Sequence, residues 1–264
     1  MTSPRNSNTD AWIPARPGSF DELIEPFLPG REKPLLAIAR SLRETLLALG
    51  NEATPATELQ AAWWHDEIRR LAAGEPRHPL TRPLAAAVAA GTLDPGLLTE
   101  LLVAAESRRA GQWPDSAESL RLDLFRRHAV PLQIAAAACA GTAAETAAVA
   151  TAAKHTGIAY GYLTLAAASA DAVHKSGNDG AAPAVSPGTP EACELGLRDI
   201  QAVTAAPWSG IAVLDLYRAL TAEGLKRRGG GRTMSRFRLL WIAWRTARAS
   251  RRARGHDDDG KTRA

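Results

Sequence analysis

The charged triplet His65-Asp66-Glu67 sits directly behind two adjacent tryptophans, in the run Gln60-Ala61-Ala62-Trp63-Trp64-His65-Asp66-Glu67-Ile68-Arg69-Arg70-Leu71. A metal site needs its ligands on one helix face, but three consecutive helical positions fan out by about 100° each. The spacing therefore predicts a solvated face, with His65 facing Arg69 and Asp66 pairing with Arg70 at i,i+4. Leu197-Arg198-Asp199-Ile200 likewise reads as an ordinary solvated ion pair. Gly229-Gly230-Gly231-Arg232 has no strand before it and no Lys-Ser/Thr after it, so it reads as a loop and not as a phosphate cradle. Serine-nucleophile and dinucleotide readings fail as well. Cys139 and Cys193 lack a C-x-x-C partner, which predicts small buried residues in a reducing compartment, without a disulfide or zinc site.

The elements that must position any chemistry are helices. The 264 residues suit one large domain, and their apolar share of 45% is mostly alanine and leucine, with few β-branched runs. Residues 1–18 read as a disordered lead-in. Helices are predicted from Phe20 to Leu28, Pro34 to Leu49, and from Pro55, capped by Thr54, to Leu71, with Gly74 and Pro76 as its exit. Further helices are expected over Leu80 to Ala90 and Pro95 to Ala110. Another starts at an Asp115 cap with Glu118 reaching back, and runs to Cys139 with a bend at Pro131. Small-sided Ala144 to Ala170, then Glu191 to Ala205, Ile211 to Leu225 and Met234 to Arg254 complete the set. Residues 175–190 read as a flexible loop and 255–264 as a disordered tail. Nothing alternates at period two, so the fold class is all-α. No apolar run spans a bilayer, and Met1 to Asp10 lacks an apolar signal core, so the expected location is cytoplasmic.

The tryptophan run, with Gly74-Glu75-Pro76-Arg77-His78-Pro79-Leu80 after it, resembles a stretch of the squalene/phytoene synthase family, the head-to-head prenyl synthases. The resemblance covers roughly Phe20 to Arg248 and implies a single isoprenoid-synthase-type helical bundle, residues 19–254. Active members hold a diphosphate through Mg²⁺ on two opposed pairs of carboxylates, each pair four residues apart. Pro29-Gly30-Arg31-Glu32-Lys33-Pro34-Leu35-Leu36-Ala37-Ile38-Ala39-Arg40-Ser41-Leu42-Arg43-Glu44 looks like the family's first such helix. Glu44 is the only acid in Arg43-Glu44-Thr45-Leu46-Leu47-Ala48, and Ala48 occupies the i+4 position. At the second motif, Gly157-Ile158-Ala159-Tyr160-Gly161-Tyr162-Leu163-Thr164-Leu165-Ala166-Ala167-Ala168 carries no acid; Asp171 follows alone. The chain looks closest to the divergent branch that lacks the aspartate-rich motifs, a branch associated with assembly of respiratory complex I.

The resemblance thus implies a pseudoenzyme, a binding or assembly protein with no cofactor, whose partners would be an isoprenoid or lipid ligand and another protein. The alternative is an active prenyltransferase that uses Mg²⁺ with displaced carboxylates, Glu44 and Asp171. Arg40, Arg43, Arg77 and Tyr160 are candidate substrate-binding residues, while Arg77-His78-Pro79 also reads as a rigid helix-to-helix corner.

Charge is uneven. Lys226 to Arg254 holds eleven basic residues and no acid, leaving the remainder at −7 in a chain of net charge +4. Phe237, Leu240, Trp241 and Trp244 share one helical face among Arg236, Arg238, Arg245, Arg248, Arg251, Arg252 and Arg254. One reading docks that aromatic face on the core, with the arginines solvated. The other uses Arg238, Trp241, Trp244, Arg245, Arg248, Arg251 and Arg252 as a membrane or partner surface, which would place the protein at the inner face of an anionic membrane. Nucleic-acid binding is not expected, because no recognised nucleic-acid fold accompanies the charge.

Overall fold

The computed structural model describes residues 19–140, 143–175, 189–204, 209–232 and 235–261, the backbone alone at 143–145, 169–175, 189, 204 and 253–261. The expected lead-in, residues 1–18, and all but the ends of the 175–190 loop lie outside the described residues. Regular structure among those described is entirely helical: α1 Phe20–Ile24, α2 Glu32–Ala48, α3 Pro55–Ala72, α4 Ala85–Ala89, α5 Gly96–Arg109, α6 Ala117–Leu124, α7 Val130–Cys139, α8 Ala143–Lys175, α9 Thr189–Thr204, α10 Ala212–Gly229 and α11 Arg236–Lys261. The fold class is all-α, as the periodicity predicts. None of the described helices is long and apolar enough to cross a membrane.

Local chemistry explains most of the boundaries. Thr54 caps α3 by accepting from the Thr57 N–H at 3.2 Å, and the Thr57 hydroxyl returns to the Thr54 N–H at 3.0 Å. At α6 the cap is Ser116 with Ser119, one residue later than the expected Asp115–Glu118 box, because Ser116 is the residue in extended backbone conformation. The helix expected over Leu80 to Ala90 is broken by Pro83 into a 3₁₀ turn, Arg82–Leu84, and the short α4. At the other end, α11 runs to Lys261, past the expected end at Arg254 and through most of the presumed tail. Gly255 and Gly260 weaken a helix by about 1 kcal/mol each without breaking it, and no proline intervenes.

The bend at Pro131 takes a specific form. Proline has no N–H to give to the carbonyl four residues back, at Arg127. The chain widens just before it into a π turn, Phe125–Ala129, where the Val130 N–H reaches the Phe125 carbonyl. The Arg127 carbonyl is then taken by Arg43 Nε of α2, at 2.8 Å. Helix α8 presses on the same turn through Gly157 and Gly161. A Cβ on Gly157 would lie 2.2 Å from the Ala129 Cα, and one on Gly161 3.1 Å from the His128 ring. Proline and two glycines together set how close α2, the π turn and α8 come.

Buried apolar side chains gather in three clusters. One joins α2, α3, α5 and α7 through Leu42, Trp64, Leu101 and Ile134. A second joins α1, α2, α7, α8, α10 and α11 through Ile24, Leu36, Leu132, Ala153, Leu216 and Ala243. The third joins α6, α8, α9 and α10 through Leu124, Tyr162, Cys193 and Leu225. Cys139 and Cys193 are free thiols, the latter buried.

Candidate functional site

A cavity of about 220 Å³ opens where α1, α2, the π turn, α8 and α10 meet. Leu36, Arg40, Arg43 and Glu44 line it from one face of α2, at the three- and four-residue steps that a helix stacks together. Asp21 enters from α1, His128 from the π turn, Tyr160 and Thr164 from α8, and Tyr217 from α10. A second chamber of about 320 Å³ shares Ser19, Tyr160 and Thr164 with the first, and is lined further by Phe20, Leu163, Ala167, Leu239, Arg228 and Arg232. Together they fall in the range of small-ligand pockets, roughly 300–1,000 Å³. One end is polar and the other is largely apolar with two arginines.

The polar end is a set of paired charges. Arg43 Nη1 donates to Glu44 at 2.7 Å while its Nε holds the Arg127 carbonyl. Arg40 Nη1 stands 3.7 Å from the Asp21 carboxylate, which also accepts from the Tyr217 hydroxyl. Burial pushes the Asp21 carboxyl above the ordinary aspartate range, outweighing Tyr217, Arg40 and Arg43, which pull it down. Burial raises the Tyr160 hydroxyl to about 12 and also lifts Tyr217 well above its ordinary value, the Asp21 charge helping in both, so both phenols remain donors. Phe20, Tyr160, Tyr217 and His128 form an aromatic wall, with Tyr160 edge-on to Tyr217 at 5.3 Å and to His128 at 5.6 Å.

His128 is the unusual member. Its Nδ1 is sealed from solvent and makes no hydrogen bond among the described residues, although part of the ring faces the cavity. Burial holds the imidazole well below its ordinary pKa, and the Arg43 and Arg127 charges push the same way. The ring is neutral at physiological pH.

Four of the residues singled out from sequence, Arg40, Arg43, Glu44 and Tyr160, therefore converge on one site. Asp21, His128, Thr164 and Tyr217 were missed, although Thr164 stands four residues after Tyr160 on one face of α8. The Asp171 side chain lies outside the described residues. Arg77 does not join the cavity. Its side chain is exposed, and its backbone N–H donates to Glu67 at 2.8 Å as part of the predicted corner.

That corner overturns the solvated reading of the charged triplet. Glu67 is fully buried, because it shares the inner face of α3 with Trp64, Ile68 and Leu71. It accepts from the Arg77 and His78 N–H groups at 2.8 Å each, from the Thr81 hydroxyl, and from Arg70 Nε at 3.0 Å. Burial favours its neutral form, yet these bonds win and hold the carboxyl below the ordinary glutamate range. Asp66 pairs with Arg69 and not with Arg70, and His65 reaches Glu106 of α5 at 3.0 Å. Asp199 is also buried, held by Arg121 of α6 and by His155 Nδ1 of α8 at 2.9 Å, while Arg198 points outward to Glu194. Its neighbours on α9, Ile200 and Val203, turn that stripe inward.

The C-terminal helix corrects another expectation. Ile242, Ala243, Thr246, Ala247 and Ser250 face the core, whereas Phe237, Leu240, Trp241 and Trp244 are exposed. Small side chains let α11 lie close on its neighbours, so the aromatic face does not dock on the core. Arg238 is drawn to Glu223 of α10 at 2.6 Å.

No group of three or more His, Cys, Asp or Glu that could hold a metal ion occurs among the described residues. In the central cavity, the two acids Asp21 and Glu44 each stand beside an arginine, a donor set for an anion more than for a divalent cation. Comparison of the chain with protein-family models, with curated proteins and with solved structures finds no match.

Proposed function

We propose that this chain is a squalene/phytoene-synthase-like protein of isoprenoid-synthase architecture that has lost Mg²⁺-dependent prenyl transfer. In this reading it is a binding or assembly protein whose two-chambered cavity holds one apolar-tailed anion, an isoprenoid or a lipid. One observation carries the reading: the two helices expected to bear opposed carboxylate pairs do line one cavity, but they bring Arg40, Arg43, Glu44, Tyr160 and Thr164 to it. Guanidinium groups and phenols can hold a phosphate head at the polar end. Arg43 already occupies Glu44, so that carboxylate would have to leave its partner to take a metal.

Incubating the protein with farnesyl or geranylgeranyl diphosphate and Mg²⁺ tests the reading. Binding without sustained diphosphate release is expected. Sustained release that disappears in Glu44→Ala would establish the prenyltransferase alternative and overturn this one.

A further inference from the structure

The outer face of α11 is built like an interfacial helix. Phe237 is 80% exposed, and Trp241 and Trp244 keep 46% and 48% of their surface exposed. One turn or two further on, Arg245, Arg248, Arg251 and Arg252 lie on the same side, exposed as well. The buried stripe, Ile242 to Ser250, lies on the opposite side, so α11 is bound to the protein by one face and presents the other whole.

We infer that this face docks on an anionic lipid bilayer. The arginines are placed for it: the Arg245 guanidinium lies 4.7 Å over the Trp241 ring, and that of Arg248 5.7 Å over Trp244. Indoles and guanidinium groups thus sit at one level, as they must where aromatic rings enter the headgroup layer and arginines pair with lipid phosphates. No acid interrupts the sequence from Lys226 to Arg254, which favours a negative surface, and the three acids of α11, Asp257 to Asp259, follow only in its last turns. Trp244, Arg248, Arg251 and Arg252 border one open depression of about 450 Å³ on this face. Its lining spans only about 12 Å of one helix, whereas single-stranded nucleic acid is bound in basic grooves that track its backbone over several nucleotides. The second chamber of the cavity is lined by Leu239, on the inner side of the same helix, and by Arg232 just before it. Docking does not depend on what the cavity holds.

The test is co-sedimentation of the full-length protein with vesicles of phosphatidylcholine alone, or with phosphatidylglycerol added. Binding should require phosphatidylglycerol and weaken as salt is raised. Arg248→Gln/Arg251→Gln/Arg252→Gln should lower the partition coefficient about a hundredfold, each arginine being worth roughly a factor of five. Trp241→Ser/Trp244→Ser should lower it about tenfold or more through lost apolar insertion. All five side chains are exposed, so both variants should keep the parent's helicity and melting temperature. Equal binding to neutral and anionic vesicles, or binding that neither variant changes, would overturn the assignment. So would tighter, arginine-dependent binding to a single-stranded RNA or an acidic peptide than to the vesicles.

Discussion

Glu67 and Asp21 are both carboxyl groups taken out of water, and they have opposite fates. Glu67 receives two backbone N–H groups, a hydroxyl and an arginine in a corner closed to solvent at the carboxylate. Its charge is stabilised, and the group serves to hold α3 to the chain that follows it. Asp21 has a tyrosine hydroxyl and a longer contact with Arg40, on a cavity it shares with an imidazole whose Nδ1 has no hydrogen bond among the described residues. Its charge is resisted. A buried acid with every lone pair filled is a fastener, whereas an under-filled one beside empty volume is part of a site.

Breaking the fastener should have the largest effect in the molecule. Glu67→Ala strands the Arg77 and His78 N–H groups and the Thr81 hydroxyl, and should lower stability by about 3–5 kcal/mol. Asp21→Asn, which mimics the protonated acid, should leave stability at pH 7 unchanged or raised. The signs follow from linkage. The folded pKa of Glu67 is depressed, so its contribution is present above the ordinary value of 4.5 and is lost as pH falls through the folded value. The folded pKa of Asp21 is raised, so its contribution is present below 3.8 and is lost as pH rises through the folded value. Urea midpoints at pH 7 and pH 4 read both effects. Equal losses for the two variants would erase the distinction between corner and cavity.

The next effect lies in the glycines that bring α8 onto the π turn. Gly157→Ala would force its Cβ onto the Ala129 backbone, and should cost about 1–3 kcal/mol even after the helix gains about 1 kcal/mol from alanine. Gly161→Ala meets only the Leu124 and His128 side chains, at 3.0 and 3.1 Å, and should be near neutral in stability while pressing on the cavity wall. Thermal melts separate the first effect, and farnesyl diphosphate titration the second. A neutral Gly157→Ala would mean that the close crossing is not needed to hold the site.

How much of this was legible depended on how local the cause was. The face of α2 that carries Arg40, Arg43 and Glu44 follows from helical spacing, as do the Thr54 cap and the bend at Pro131. The burial of Glu67 was readable too, since it falls in line with Trp64, Ile68 and Leu71, but a triplet of charges looks solvated until its partners are known. Those partners come from a corner ten to fourteen residues on, and for Asp199 from Arg121, seventy-eight residues away. Spacing along one helix cannot supply them. On α11, large apolar residues look like core, yet the stripe of alanine, threonine and serine packs inward because small side chains permit close approach. His128 was invisible for a third reason: its place depends on a π turn, which shifts the register that helical spacing assumes.

The smallest effect tests whether His128 belongs with the site or with the fasteners. Its neutral ring faces Tyr160 and feels the Arg43 and Arg127 charges, and its Nδ1 makes no hydrogen bond among the described residues. Because its folded pKa is depressed, the unfolded chain binds a proton near pH 6.5 that the folded one refuses. Stability is therefore full above that value and declines as pH falls toward the folded pKa, at most by about 1.4 kcal/mol per pH unit. His78 adds a decline of the same sign, so the comparison must be between variants. His128→Leu should change stability at pH 7 by less than about 1 kcal/mol and should flatten the decline between pH 6.5 and 5. If Nδ1 takes its missing bond from a ligand, the same variant should weaken farnesyl diphosphate binding by about two- to tenfold, one hydrogen bond's worth. Unchanged affinity with a flattened pH profile would make His128 a wall of the cavity only. A large loss of stability at pH 7 would put it with Glu67, among the groups that fasten the fold.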